Sequence, residues 1–231
     1  MLGVDASRAG WIGIELEDGH FAGARLASRL GDLLGDAVPG GDPSSRDELP
    51  PAYSVVGVDT PIGLLPGGWR DSDRAAAAYI GRRRSSVFAV PPAAVWDVAD
   101  YAEANALCRA ITGGGFSRQA YNLRARVLEA NALRGLFEVH PEVSFRELAG
   151  VELPYPKLTW AGHTLRRALL RAGGIDVPDD LGPAGITGPD DVLDAAAVAW
   201  TAHRITTGQA KTFPSPPTQH TATGAPIVIW A

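Results

Sequence analysis

Apolar residues recur along this chain with two different periods, and the change from one to the other outlines its elements. Gly3-Val4-Asp5 closes a first short strand, residues 6–10 turn, and Trp11-Ile12-Gly13-Ile14-Glu15-Leu16 alternates as a second strand. A turn at 17–20 leads to a third strand over 21–26, and Ser28 is placed to cap a short helix over 29–36. Residues 38–51, rich in Gly, Pro, Asp and Ser, read as a surface loop. Tyr53-Ser54-Val55-Val56-Gly57-Val58 is the kind of run that a parallel strand buried on both faces requires, and Asp59 follows it.

Beyond Asp59 the period becomes helical. Helices are expected over 69–79, 100–111 and 117–131, separated by a basic loop at 82–88, the Pro91-Pro92 break and a Gly113-Gly114-Gly115 hinge. Residues 61–131 thus read as a helical insertion between two core strands, the later one being Leu136-Phe137-Glu138-Val139. Residues 140–145 then turn into a short helix. Next come an amphipathic helix over 159–172, with Leu165, Leu169 and Leu170 on one side, and a long helix over 190–206 capped by Pro189-Asp190-Asp191. The Ala-rich face of that last helix suits a close approach to a sheet. Ile227-Val228-Ile229-Trp230 is expected as a final edge strand.

Length and composition narrow the class. A chain of 231 residues, 45% hydrophobic and 20% charged, can build one large α/β domain over 1–231 without covalent staples. Its single cysteine, Cys108, excludes an intrachain disulfide, fits a cytoplasmic location and reads as a small core residue. No run has transmembrane length and the first residues lack a signal-peptide pattern, so no membrane partner is expected. The net charge of −5 argues against holding long duplex nucleic acid by bulk charge, and leaves room for a local basic patch.

Against this background the acidic residues stand out. Asp5, Asp59 and Glu138 lie at the ends of expected strands, and Asp191 and Asp194, three apart, share one face at the start of the last helix. Taken singly, each is a turn residue or a helix cap, and Asp190 and Asp191 suit the positive end of a helix dipole. Asp194 is different, because it sits in an apolar stretch where an unpaired carboxylate is costly. Three antiparallel-type strands, a helix, then parallel strands with helices is the ribonuclease H-like order, a mixed five-stranded sheet flanked by helices. Carboxylates meeting there suit two divalent ions, Mg²⁺ or Mn²⁺, that clamp an attacking water and a leaving oxygen. Asp5 would bridge the ions, Asp59 or Glu138 would hold one, and Asp191 or Asp194 would complete the shell.

Other groups have two readings each. Arg82, Arg83 and Arg84 beside Ser85 and Ser86 form either a phosphate clamp or a solvated charge run paired with acids such as Asp71 and Asp73. His140 is a general acid, a water-positioning group or a structural residue before Pro141; Glu142 is a metal ligand or a helix cap; Lys157 reaches a phosphate or merely precedes a helix. There is no Gly-x-Ser-x-Gly elbow, no phosphate-binding Gly-rich loop ending in Lys-Ser/Thr, and no zinc spacing.

The segments Gly3-Val4-Asp5 with Gly10-Trp11, Gly57 to Gly63, Gly81 to Phe88, Glu138-Val139-His140-Pro141-Glu142-Val143-Ser144-Phe145 and Asp191 to Ala196 resemble the domain-of-unknown-function 429 family. The resemblance runs from Leu2 to about Gly208 and implies a ribonuclease H-like nuclease, acting on nucleic acid or a nucleotide-like phosphodiester. The same core serves nucleotide-binding and phosphotransfer proteins of the actin-like superfamily, though those usually duplicate the domain and this chain is too short for two copies. A non-catalytic binding module on the same fold is the third reading.

Overall fold

The computed structural model describes residues 1–34 and 53–231. The loop expected over 38–51, and the end of the helix expected to reach 36, lie outside the described residues. The chain packs as two compact units. One comprises Met1–Thr60, Leu133–Ala210 and Trp230–Ala231; the other comprises Pro61–Ala132 and Lys211–Ile229.

The first unit holds a mixed five-stranded sheet of order β3-β2-β1-β4-β5. Its strands are β1 (Leu2–Ser7), β2 (Gly10–Glu17), β3 (His20–Ala27), β4 (Val56–Val58) and β5 (Leu136–Glu138). The first three are antiparallel neighbours, whereas β4 and β5 run parallel to β1. Asp18 and Gly19, both with positive φ, connect β2 to β3. That is the Asp-Gly turn whose twist matches two paired strands. Two boundaries differ from expectation. Asp5 lies inside β1, opposite Ile12, rather than at its end. The run from 53 is strand only from Val56, and Tyr53 instead donates its hydroxyl to Glu15.

Helices α7 (Pro141–Ala149), α8 (Trp160–Ala172) and α9 (Pro189–Thr206) cover this sheet unit, with the short α1 (Leu30–Leu33) after β3. Arg29, not Ser28, occupies the N-cap of α1 and offers no side-chain cap. Every residue of α9 from Val192 to Ala202 is buried. The reason is close approach. A Cβ at Gly3 would strike the backbone of Ala199 and the carbonyl of Ala195, and one at Gly57 would lie 2.9 Å from Val198 Cγ1. Small residues on both partners let the helix lie directly on β1 and β4. Ile12, Ile14, Phe145 and Leu170 join the alanines of α9 in the core. On α8 the fully buried stripe is Gly162, Arg166 and Leu170, while Leu165 and Leu169 are only half-buried.

The second unit carries α2 (Asp71–Ile80), a 3-10 helix over Gly81–Ser86, α3 (Ala93–Asp97), α4 (Tyr101–Thr112), α5 (Arg118–Tyr121) and α6 (Arg124–Asn131). The single helix expected over 117–131 is therefore broken, at Asn122 and Leu123, and the basic loop is a 3-10 helix over most of its length. Buried Arg70 pairs with Asp73 at 2.7 Å, and Asp73 also accepts from the Val90 backbone at 2.8 Å. Cys108 is buried beside Ala104 and Ala120. The final strand is shorter than expected: β7 (Ile229–Trp230) pairs with β6 (Thr212–Phe213), a strand the sequence pattern did not suggest. No helix among the described residues is long and apolar enough to cross a membrane.

Candidate functional site

The register of the parallel strands decides which acids face one another. Gly3 is level with Gly57 and Val4 with Val58. The ladder continues one step, because the Asp59 N–H donates to the Val4 carbonyl at 2.9 Å. Asp5 and Asp59 therefore leave adjacent strands at the same level. They project to the face that Gly3 and Gly57 present to α9, since side chains alternate along a strand. Asp59 takes part in a side-chain hydrogen bond with Asp5, and the Ala6 N–H donates to Asp5 Oδ1 at 2.7 Å.

Glu138 follows a different rule. It is level with Val58, one residue short of Asp59, so alternation turns it to the opposite face of the sheet. The expectation that it would join Asp5 and Asp59 fails on this parity. It is buried all the same, and it has a partner of its own. The acid that does act on the group is Glu142, in the first turn of α7, whose charge raises the pKa of both Asp59 and Asp194. Glu142 is held by Arg166 Nη2 at 2.6 Å, and Arg166 also donates to the carbonyls of Tyr155 and Gly162, both at 3.2 Å. Arg166 thus ties α7 to α8 and to the segment that precedes α8. Sequence reasoning took Glu142 no further than a choice of roles and missed Arg166. Its signal was a cation at the centre of the Gly162–Arg166–Leu170 stripe of spacing four.

Asp194 enters from α9 and is 2% exposed. Lys157 Nζ donates to its Oδ2 at 2.5 Å and lies 3.9 Å from Asp190. The other oxygen, Oδ1, is buried without a hydrogen-bond partner. Asp191 sits one turn earlier and is half-buried, and the positive charge it meets is again Lys157. The lysine therefore stands among acids.

The electrostatics follow from this crowding. Burial, then the charges of Asp59 and Asp194, hold the Asp5 carboxyl well above the usual carboxylate range, with Lys157 opposing. Burial also raises Asp59, against the pull of His140 and Lys157. Asp194 is pushed up to about 7, first by burial and then by Asp59 and Glu142, even though Lys157 works the other way. Burial would lower Lys157, yet Asp194, Asp5 and Asp59 outweigh it and keep the ammonium protonated above its ordinary range. One ammonium does not neutralise this many carboxyls, so the group is short of positive charge.

His140 occupies the N-cap of α7 directly after β5, and its charge acts on Asp59. Arg82, Arg83, Arg84, Ser85 and Ser86 belong to the other compact unit, in the 3-10 helix after α2, where Arg82, Arg84 and both serines are exposed. The acids named as their possible partners are taken by others: Asp73 by Arg70 and Asp71 by Arg74.

The donor set is all hard oxygen, which suits Mg²⁺ or Mn²⁺ better than softer ions. The partnerless Asp194 Oδ1 and the surplus of carboxyls fit a cation. As the side chains stand, with Lys157 on Asp194, no group of three or more His, Cys, Asp or Glu side chains that could hold a metal ion is present among the described residues. The charge next to Asp194 is instead an ammonium.

No curated protein and no solved structure matches this chain. One family model does match, described as "Protein of unknown function (DUF429)", over residues 3–219. Its span takes in Asp5, Asp59, Glu142, Lys157 and Asp194 alike, and the chain belongs to that family.

Proposed function

We propose that the carboxylates of Asp5, Asp59 and Asp194 hold a divalent cation, Mg²⁺ or Mn²⁺, and that the protein hydrolyses a phosphodiester on a ribonuclease H-like fold. The observation that carries this reading is that Asp5 and Asp59 share a hydrogen bond at the same level of adjacent strands, that the charges of Asp5, Asp59 and Asp194 are felt across this group, and that burial raises all three carboxyls. Acids are rarely gathered in this way without a cation to offset them. The strand order β3-β2-β1-β4-β5, with α9 laid on the face that carries the acids, supports the fold assignment. A bound ion would supply Lewis-acid stabilisation of the charge that builds on a phosphoryl oxygen.

The chain's own groups have separate tasks in this reading. Asp5 and Asp59, fixed by adjacent backbone ladders, define the position of the cation. Asp191, half-buried one turn before Asp194, would add a further carboxylate beside a bound cation. His140, beside Asp59, accepts a proton from the attacking water or gives one to the leaving oxygen. The substrate is a nucleic-acid strand or a smaller nucleotide-like ester.

The test is hydrolysis of a labelled oligonucleotide and of bis(4-nitrophenyl) phosphate with Mn²⁺ present. Asp5→Asn keeps the side chain's shape and removes its charge, so it is expected to abolish cleavage while the circular dichroism spectrum stays unchanged. Equal cleavage by wild type and Asp5→Asn, or none by the wild type on either substrate, would sink the proposal.

A further inference from the structure

The chain uses lysine sparingly. Of its 21 Lys and Arg residues only Lys157 and Lys211 are lysines. One of the two is placed in the acid centre, paired with the most deeply buried of its carboxylates. Arginine would bind a carboxylate in a fixed two-pronged geometry, whereas a lysine ammonium is a compact charge on a flexible stem. The side chain of Lys157 is 37% exposed while that of Asp194 is 3% exposed. The ammonium therefore reaches inward from a position that solvent can still enter.

Its backbone is held from the far side. Arg166 donates to the Tyr155 carbonyl, and Thr159 caps α8 by accepting from the Gly162 N–H at 3.1 Å. Both anchors flank Lys157 and neither involves its side chain. The lysine can change rotamer without dismantling the segment that carries it. Groups facing the ammonium come from every neighbouring element: Asp194 and Asp190 by distance, Asp5 and Asp59 by charge.

We propose that Lys157 is a built-in counter-ion of this centre, which occupies Asp194 when no divalent cation is bound and must leave it for the cation to bind. This rests on the metal reading above and adds to it a resident competitor. The ammonium fills the electrostatic role of the metal in the empty centre. It keeps the buried carboxylates from repelling one another, and it lowers the centre's affinity for divalent ions. A like-charged ion and an ammonium close to the same carboxylate repel each other strongly, so the two states exclude one another.

The experiment measures Mn²⁺ binding to metal-free protein by calorimetry and by electron paramagnetic resonance of the free ion, without any activity assay. Lys157→Met removes the competitor and is expected to bind Mn²⁺ roughly tenfold more tightly. Lys157→Arg keeps a cation and is expected to bind within about threefold of wild type. Lys157→Gln serves as a second neutral variant should the methionine variant fold poorly. In the wild type, reductive methylation followed by mass spectrometry reads the lysine directly. Mn²⁺ is expected to speed labelling of Lys157 and leave the internal reference Lys211 unchanged. If Lys157→Met and Lys157→Gln bind Mn²⁺ no more tightly than wild type, or if Lys157 stays protected in the loaded protein, the counter-ion role is overturned while the metal site stands. If neither wild type nor the neutral variants bind Mn²⁺, the metal reading itself is wrong and this inference falls with it.

Discussion

Replacing Asp194 with Asn should change how stability depends on pH, and the structure gives both sign and size. The carboxyl's ordinary value is 3.8, and in the fold it is pushed up to about 7. Between those values the folded chain keeps a proton that the unfolded chain has released. Stability from this group is therefore full below the lower value and is lost as pH rises through the upper one. A gap of about three units corresponds to roughly 4 kcal/mol, an upper figure because a buried pair relaxes when it ionises. For a chain of this length each kcal/mol moves Tm by about 2–4 °C, so the full effect is on the order of 10 °C. Asn stays neutral throughout and cannot contribute this slope. The assay is a set of thermal melts in chelator between pH 5 and pH 8, for wild type and Asp194→Asn side by side. The Tm of the variant relative to wild type is expected to climb from pH 5 to about pH 7 and to level off above it. Asp5 and Asp59 are raised as well and leave the variant some slope of its own, so the difference between the two proteins is the quantity to read. A difference that is flat from pH 5 to pH 8 would refute the account of Asp194 as a carboxyl held protonated by burial and crowding.

Two further substitutions test the frame around the centre. Gly3→Ala puts a methyl group into the backbone of α9 at Ala195 and Ala199, and is expected to cost about 3 kcal/mol or more by overpacking; a melt within about 2 °C of wild type would contradict the close approach of that helix. Arg166→Met leaves the buried Glu142 without its ion-pair partner and is expected to cost about 3–5 kcal/mol in a melt near pH 7, whereas adding Glu142→Gln should recover much of the loss; equal stability of Arg166→Met and wild type would show that the pair holds nothing together.

The parts of this molecule that showed in the sequence are those set by local pattern. Alternation over residues 11–16 and the Asp18-Gly19 turn marked the antiparallel strands, and the alanine run before Trp200 marked a helix able to lie flat on a sheet. Where the pattern failed, a long-range constraint had intervened. Asn122 and Leu123 carry no breaker, yet the chain stops one helix there and starts another. Strand β6 is two residues long and exists only because β7 returns to it.

The candidate site divides along the same line. Asp5 and Asp59 could be named because an acid just inside or just past a buried strand is conspicuous in one dimension. Glu138 looked the same by that criterion, and a single step of register put it on the other face, something only the pairing of β4 with β5 determines. Glu142 and Lys157 posed the opposite problem. Each sits among ordinary helix-start residues, and each matters through a partner 24 or 37 positions away, Arg166 and Asp194 respectively. A sequence shows where carboxylates are costly, as at Asp194. It does not show which cation meets them, because that depends on how the segment before α8 is pinned by Arg166. The lysine is thus the residue on which the chemistry of this centre turns. If it yields Asp194 to a divalent ion, the acids form a metal site with a resident competitor; if no ion binds whether or not the lysine is present, the same acids and one ammonium form a buried structural knot, and the hydrolytic reading loses its ground.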